Sequence, residues 1–209
     1  AIWVTSFLLN LSQNQIAQHF PDYKKLTEQK SDITIKHLLT MRAGIAWDQS
    51  GKKPHEEENE GQMENSDDFI GYVLSQGMFE EPGARFNYNS GCTILLAGII
   101  KQASGMHVDV FSRKYLFEPL GIEDQRWLFT ETGLPQTHFG LLLRPRDAAK
   151  IGQLYVDEGQ WRGKQVVSAE WIKESVNPHF GNKRYGYSWW LDRFVVNKQP
   201  VKLYAAEGS

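Results

Sequence analysis

The chain is short of cysteine: Cys92 stands alone in 209 residues, so no disulfide can close within it. That excludes a small disulfide-stapled scaffold and leaves both reducing and exported settings open. Basic charge is not in excess either. Twenty-three Lys and Arg face twenty-five Asp and Glu, a formal net charge of -2. A nucleic-acid footprint needs a basic stripe, and none is present. No stretch reaches the roughly 18 uninterrupted apolar residues of a membrane span. A basic leader with an apolar run and a small-residue cleavage site is also missing. The opening Ala1-Ile2-Trp3-Val4 carries no initiator Met, which points to a chain that begins mid-protein.

Several chemical motifs are absent as well. There is no phosphate loop and no zinc-spaced Cys or His cluster. The six histidines (His19, His37, His55, His107, His138 and His179) are scattered and read as surface or packing residues. The acidic run HEEENE, within 48–65, reads as a solvated loop because the spaced His pair of a zinc helix is missing. No metal or cofactor is expected. Gly186-Tyr187-Ser188-Trp189-Trp190 begins like a nucleophile elbow, but Trp190 replaces the second glycine that the strained turn requires. Ser188 therefore reads as a strand residue.

What is present is enough apolar material, 41% of the residues, for one large domain or two small ones. Thr34 reads as the cap of a helix over 35–43, ended by Gly44. Ser66 reads as the cap of a helix with Asp67 and Asp68 in its first turn, stopping at Gly77. An apolar helix spans about 92–104 before Gly105, and another about 108–117 before Pro119 and Gly121. Phe139 to Leu143 is a short strand, Pro145 opens a helix ending at Gly159, and Ser168 caps the next. From Arg184 the period changes. Tyr185, Tyr187, Trp189 and Leu191 alternate with Gly186, Ser188, Trp190 and Asp192, as in a strand. Val195-Val196, a loop over Asn197–Pro200, and Val201 to Ala206 then read as a hairpin. Helices thus dominate 30–177 and strands the end, an α+β chain.

The stretch EPGARFNYNSGCTILLAG, residues 81–98, sets polar Tyr88-Asn89-Ser90-Gly91 on a corner between a Pro-Gly turn and an apolar helix. On its own, an aromatic after Pro-Gly usually packs. Five segments in order change that reading. They are Ile33-Thr34-Ile35-Lys36-His37-Leu38-Leu39-Thr40-Met41 before Gly44-Ile45; Pro82-Gly83 leading to Phe86-Asn87-Tyr88-Asn89-Ser90-Gly91; Leu116 to Ile122; Gly140 to Gly152; and Tyr185-Gly186-Tyr187-Ser188-Trp189-Trp190.

Together they resemble the serine β-lactamase and penicillin-binding-protein superfamily, in its class C-like branch of esterases, amidases and DD-peptidases. The resemblance implies a β-lactamase/DD-peptidase-like α+β fold, with a mostly helical part over 1–177 and strands of an incomplete α/β part over 178–209. It implies an acyl-serine hydrolase acting on a small ester, amide or β-lactam, and suggests a periplasmic or extracellular setting. Tyr88 becomes the phenol of the proton-transfer network and Ser90 its polar companion. The chemistry is coherent, because a serine hydroxyl needs a base and a phenol of pKa about 10 needs a neighbouring cation to act as one. The family's S-x-x-K would precede Asn10, where AIWVTSFLL holds no Lys, and its last glycine-rich strand would follow Gly208. The single formal match, Ser50-Gly51-Lys52-Lys53, lies in the acidic loop beside Pro54 and reads as coincidence. An internal fragment, inactive alone, is therefore expected; the other reading is a non-catalytic remnant with a binding role.

Overall fold

The computed structural model describes residues 11–49, 59–181 and 184–206. Its centre is helix α5, Ser90–Ser104, preceded by Asn89 in extended backbone. Gly105 ends it in the left-handed region at φ 72°, its N–H donating to Lys101 O. Cys92, Ile94, Leu95, Leu96, Ile99 and Ile100 are all buried, so the helix is apolar on every side and must be enclosed. Helices α2 (Ile35–Leu39) and α4 (Phe69–Ser75) and the 3₁₀ turn Ile16–His19 pack on it. Close approach depends on Gly91, where a Cβ would lie 2.7 Å from Val73 Cγ2. No single helix among the described residues is long and apolar enough to cross a membrane.

α2 is capped as expected by Thr34, whose Oγ1 accepts from His37 N. The reciprocal bond is made by His37 Nδ1, accepting from Thr34 N. The helix stops at Leu39, well before the expected 43. Met41 takes a left-handed φ of 56°, Arg42 N bonds back to His37 O and Met41 N to Leu38 O. This is a Schellman ending with methionine where glycine is usual, held by the burial of Met41.

Helices α1 (Lys24–Thr27) and α3 (Asn59–Glu64) are short; α3 shows that the acidic loop is helical at its end. The cap of α4 is Asp68, not Ser66: its carboxylate accepts from Gly71 N, and Ser66 Oγ instead donates to Met63 O. The segment read as one helix over 108–117 divides into α6 (Val108–Ser112), a π turn (Arg113–Phe117) and α7 (Glu118–Leu120). Pro119 cannot donate to the preceding turn and its ring crowds that carbonyl, so the coil widens there.

Strands β1 (Gln125–Trp127) and β2 (Leu141–Leu143) pair antiparallel. α8 (Pro145–Val156) ends three residues short of Gly159, and the small hairpin β3 (Gln160–Trp161) and β4 (Lys164–Gln165) follows. α9 (Ala169–Ser175) is capped by Ser168, accepting from Trp171 N.

The strand expected from Arg184 begins only at Trp190. Residues 185–189 form a turn in which Gly186 N donates to Trp189 O and Ser188 sits at φ 59°. Tyr187 N bonds Ser175 O and Ser188 N bonds Leu39 O, so partners in α9 and α2 replace a neighbouring strand. Ser188 is thus a turn residue. The apolar positions were read correctly, since Tyr185, Tyr187, Trp189 and Leu191 are all buried. β5 (Trp190–Val196) and β6 (Gln199–Ala205) then form a hairpin. Its turn is two residues, Asn197-Lys198, both at positive φ, rather than the four-residue loop expected. Pro200 pairs within β6, opposite Val195. The three two-stranded sheets with dominant helices make an α+β fold.

Candidate active site

The corner that carries Tyr88 is built against the end of α2. Arg42, buried, sends Nη1 to the carbonyls of Gly83 (2.8 Å) and Ala84 (3.1 Å). Asn87 N donates to Met41 O, and Asn87 Nδ2 to Trp47 O. The left-handed Met41 therefore supplies a carbonyl that fixes the residue before Tyr88. In the sequence, Asn87 stands inside a matching segment, whereas Arg42 falls between Met41 and Gly44, outside the matching stretches.

Tyr88 is 36% exposed. Its ring stacks on Trp190 at 5.8 Å with planes 21° apart, and meets Tyr185 edge-on at 6.4 Å. Phe86 completes the wall, 5.1 Å from Tyr185 and 6.1 Å from Trp190. Trp190 and Tyr185 thus hold the Tyr88 plane, with Phe86 bracing both, while part of the residue stays accessible. Burial pushes the Tyr185 phenol far above its ordinary value, and a charge on Tyr88 would add to that.

Ser90 is the first residue of α5 and does not cap it. Its N–H donates to Gln49 Oε1 at 3.0 Å, an oxygen that also accepts from Trp47 Nε1 at 2.9 Å. Ser90 is 4% exposed, and its Oγ has no hydrogen-bond partner among the described residues, nor has Asn89 Oδ1. A buried hydroxyl left unpaired costs about 1–3 kcal/mol, so such a group calls for a reason. Two clefts adjoin the corner. One of 740 Å³ is lined by Trp47, Asp48, Arg85, Phe86 and Asn87, and one of 360 Å³ by Phe86, Arg184, Trp190 and Leu203. Neither is lined by Tyr88 or Ser90. Ser50 and Lys53 lie outside the described residues, as do the residues before Leu11 where S-x-x-K would stand.

Other titratable groups have structural roles. Glu174 Oε1 receives Lys36 Nζ at 3.4 Å and Tyr187 OH at 3.2 Å, and the His179 ring stacks on Tyr187 at 4.4 Å. Burial pushes the Cys92 thiol up to about 12, so it is no nucleophile. One grouping was not visible in sequence. Glu60, Glu64 and His138 come together with their ligand-capable atoms within 4.8 Å of one another. Glu60 closes the HEEENE run and Glu64 stands four residues on, but nothing in the sequence ties the pair to a histidine 74 residues on from Glu64.

The chain is 27% identical over 125 residues to a monacolin J acid methylbutanoyltransferase of Aspergillus terreus, a match covering 58% of this chain and 30% of that protein. It is 26% identical over 119 residues to a 6-aminohexanoate-dimer hydrolase of Paenarthrobacter ureafaciens, covering 50% and 30%. The structure of a putative 6-aminohexanoate-dimer hydrolase from Bacillus anthracis superposes with a TM-score of 0.75 at 20% identity, covering 90% of this chain and 56% of that one. The matches thus take in well under two thirds of these relatives' lengths. The sequence pattern of the family described as Beta-lactamase matches residues 9–194, nearly the whole chain, and the chain belongs to that family.

Proposed function

We propose that the protein containing this chain is a serine acyl-transfer enzyme that cleaves a small ester or amide through an acyl-serine intermediate, with Tyr88 as the phenol of the proton-transfer step. The observations that carry this are the partly exposed Tyr88, held by its aromatic wall, and, two residues on, a buried Ser90 hydroxyl with no partner among the described residues. The family match supports the class of chemistry. An acyl-serine would serve both a hydrolase and an acyltransferase, which differ only in whether water or an alcohol accepts the acyl group.

In this reading the nucleophilic serine and its lysine belong to an S-x-x-K segment. The lysine's charge lowers the Tyr88 pKa toward neutrality, and the phenolate takes the serine proton as the carbonyl is attacked. The aromatic wall of Phe86, Tyr185 and Trp190 holds the ring in place. Ser90 Oγ is closed off from solvent, so it acts on groups that the fold seats against it rather than on a diffusing substrate. That makes it a companion of the network and not the nucleophile.

The test uses the full-length protein with a p-nitrophenyl ester and a reactive β-lactam, followed by product burst and intact mass. Tyr88→Phe is expected to lower kcat/KM by about 10²- to 10⁴-fold. Ser90→Ala is expected to lower turnover while a stoichiometric acyl adduct still forms. The 209 residues alone are expected to form no adduct. Unchanged turnover in Tyr88→Phe would sink the proposal. An adduct on the 209-residue chain that disappears with Ser90→Ala would make Ser90 the nucleophile, and one that disappears with Ser50→Ala would give that role to Ser50.

A further inference from the structure

α3 presents Glu60 and Glu64 one turn apart on the same face. His138 reaches them from the loop before β2. That loop is fixed by Thr137, whose Oγ1 donates to Thr93 O on α5 at 3.0 Å. The His138 side chain is wholly screened from solvent and its Nε2 lies 3.0 Å from Glu64 Oε1. Its Nδ1 is buried and has no partner among the described residues. Phe69 and Phe139 meet the ring edge-on at 6.1 and 4.4 Å, so it cannot swing out to water without disrupting packing.

An ordinary ion pair between His138 and Glu64 would account for one contact, but not for the whole group. Glu60 brings a second carboxylate to the same point, where two like charges repel. A cavity of 290 Å³ opens beside Glu64 and is lined by Asp67, Glu131, Thr130 and Gln136. Its carboxylates favour the approach of a cation to Glu64.

We propose that Glu60, Glu64 and His138 form a structural divalent-cation site. Two carboxylate oxygens and one imidazole nitrogen suit a first-row ion that takes mixed oxygen and nitrogen donors, of the zinc or manganese kind. Ligand bonds of roughly 2.0–2.2 Å require the His138–Glu64 pair, now at 3.0 Å, to open slightly and the group as a whole to adjust around the ion. The ion ties α3 to the His138 loop and, through Thr137, to α5. It neutralises the paired carboxylates and takes no part in the acyl chemistry proposed above.

The test is equilibrium dialysis of the full chain against Zn²⁺ alone, read by metal analysis, with Co²⁺ substitution read by its visible absorption. One equivalent is expected, with a cobalt spectrum showing nitrogen and oxygen ligation. Glu60→Gln and His138→Gln should each weaken uptake at least 10- to 100-fold, the loss that even an outer-sphere partner produces. His107→Gln should leave it unchanged. Glu60→Gln is the decisive variant because it keeps the shape of the side chain; its fold is checked by circular dichroism. No saturable uptake, or uptake equal in Glu60→Gln and the parent, overturns the site. Neither result bears on Tyr88, since the readout is bound metal and not turnover.

Discussion

Helix α5 and the β5–β6 hairpin are both rich in apolar residues, yet they meet opposite fates. Ile94, Leu95 and Ile99 are fully buried. Phe194, Val195 and Val201 are 55%, 76% and 45% exposed. The helix has neighbours on every side from earlier and later in the chain, so each apolar side chain finds a partner. In the hairpin Leu191 is buried and Trp190 packs against the core, both at the start of β5; beyond them no layer among the described residues covers the strands. Apolar content therefore fixes which residues seek burial, while topology decides whether burial is available.

The contrast breaks most sharply in α5. Leu95→Ala removes a fully buried side chain from an enclosed site and is expected to cost about 2–5 kcal/mol. Equilibrium urea unfolding of the 209-residue chain measures it. A loss below about 1 kcal/mol would mean that the helix is loosely packed and that the two regions differ less than their burial indicates.

The same comparison shows what sequence could reveal. α5 was legible because a Pro-Gly turn, a long apolar run and Gly105 mark its start, body and end. The hairpin was legible from its valines and turn residues, though its turn was read two residues too long because Pro200 looks like a breaker and in fact sits in an outer strand. Residues 185–189 were misread for a physical reason. Alternating buried aromatics imply a strand only if a neighbouring strand takes the hydrogen bonds, and here Ser175 O and Leu39 O take them. The early stop of α2 rests on Met41 in a conformation its side chain disfavours, which propensity cannot foresee. Tyr88 and Ser90 entered through resemblance alone. Their geometry (stacking on Trp190, an unpaired Oγ) depends on residues far along the chain.

A middle-sized effect is expected at α2, between the two extremes. Thr34→Ala deletes the cap accepting from His37 N and is expected to cost about 1 kcal/mol. The reciprocal bond requires His37 Nδ1 as acceptor, hence an imidazole that is not doubly protonated. Burial is the main cause that lowers the His37 pKa below 6.5, with Lys36 adding to it and a hydrogen bond to the Asp32 backbone opposing. The unfolded chain then binds a proton that the folded chain refuses. Stability is thus fully present above the unfolded value near 6.5 and is lost as pH falls from there toward the lowered folded value. His19 and His179, also lowered chiefly by burial, act in the same direction. Urea midpoints at several pH values between 7.5 and 5.5 should fall with acidification, and His37→Gln should flatten the slope. An equal slope in that variant would remove His37 from the account.

The smallest effect belongs to the exposed strand. Val195 is 76% exposed and sits next to the Asn197-Lys198 turn, opposite Pro200. Val195→Lys therefore gives up little buried area, and the lysine stem can lie along the sheet with its charge in water. Its expected cost is within about 0.5 kcal/mol, the usual range for a surface change. Association should respond more than stability. A two-stranded hairpin offers unpaired backbone groups along its edges, and a charge on such a strand discourages pairing with another chain. Sedimentation of the purified chain at rising concentration should thus show less self-association for Val195→Lys than for the parent, at matched urea midpoints. A destabilisation above about 1 kcal/mol would instead show that Val195 packs against something within the chain, and the distinction between an enclosed helix and an uncovered hairpin would fail at that residue.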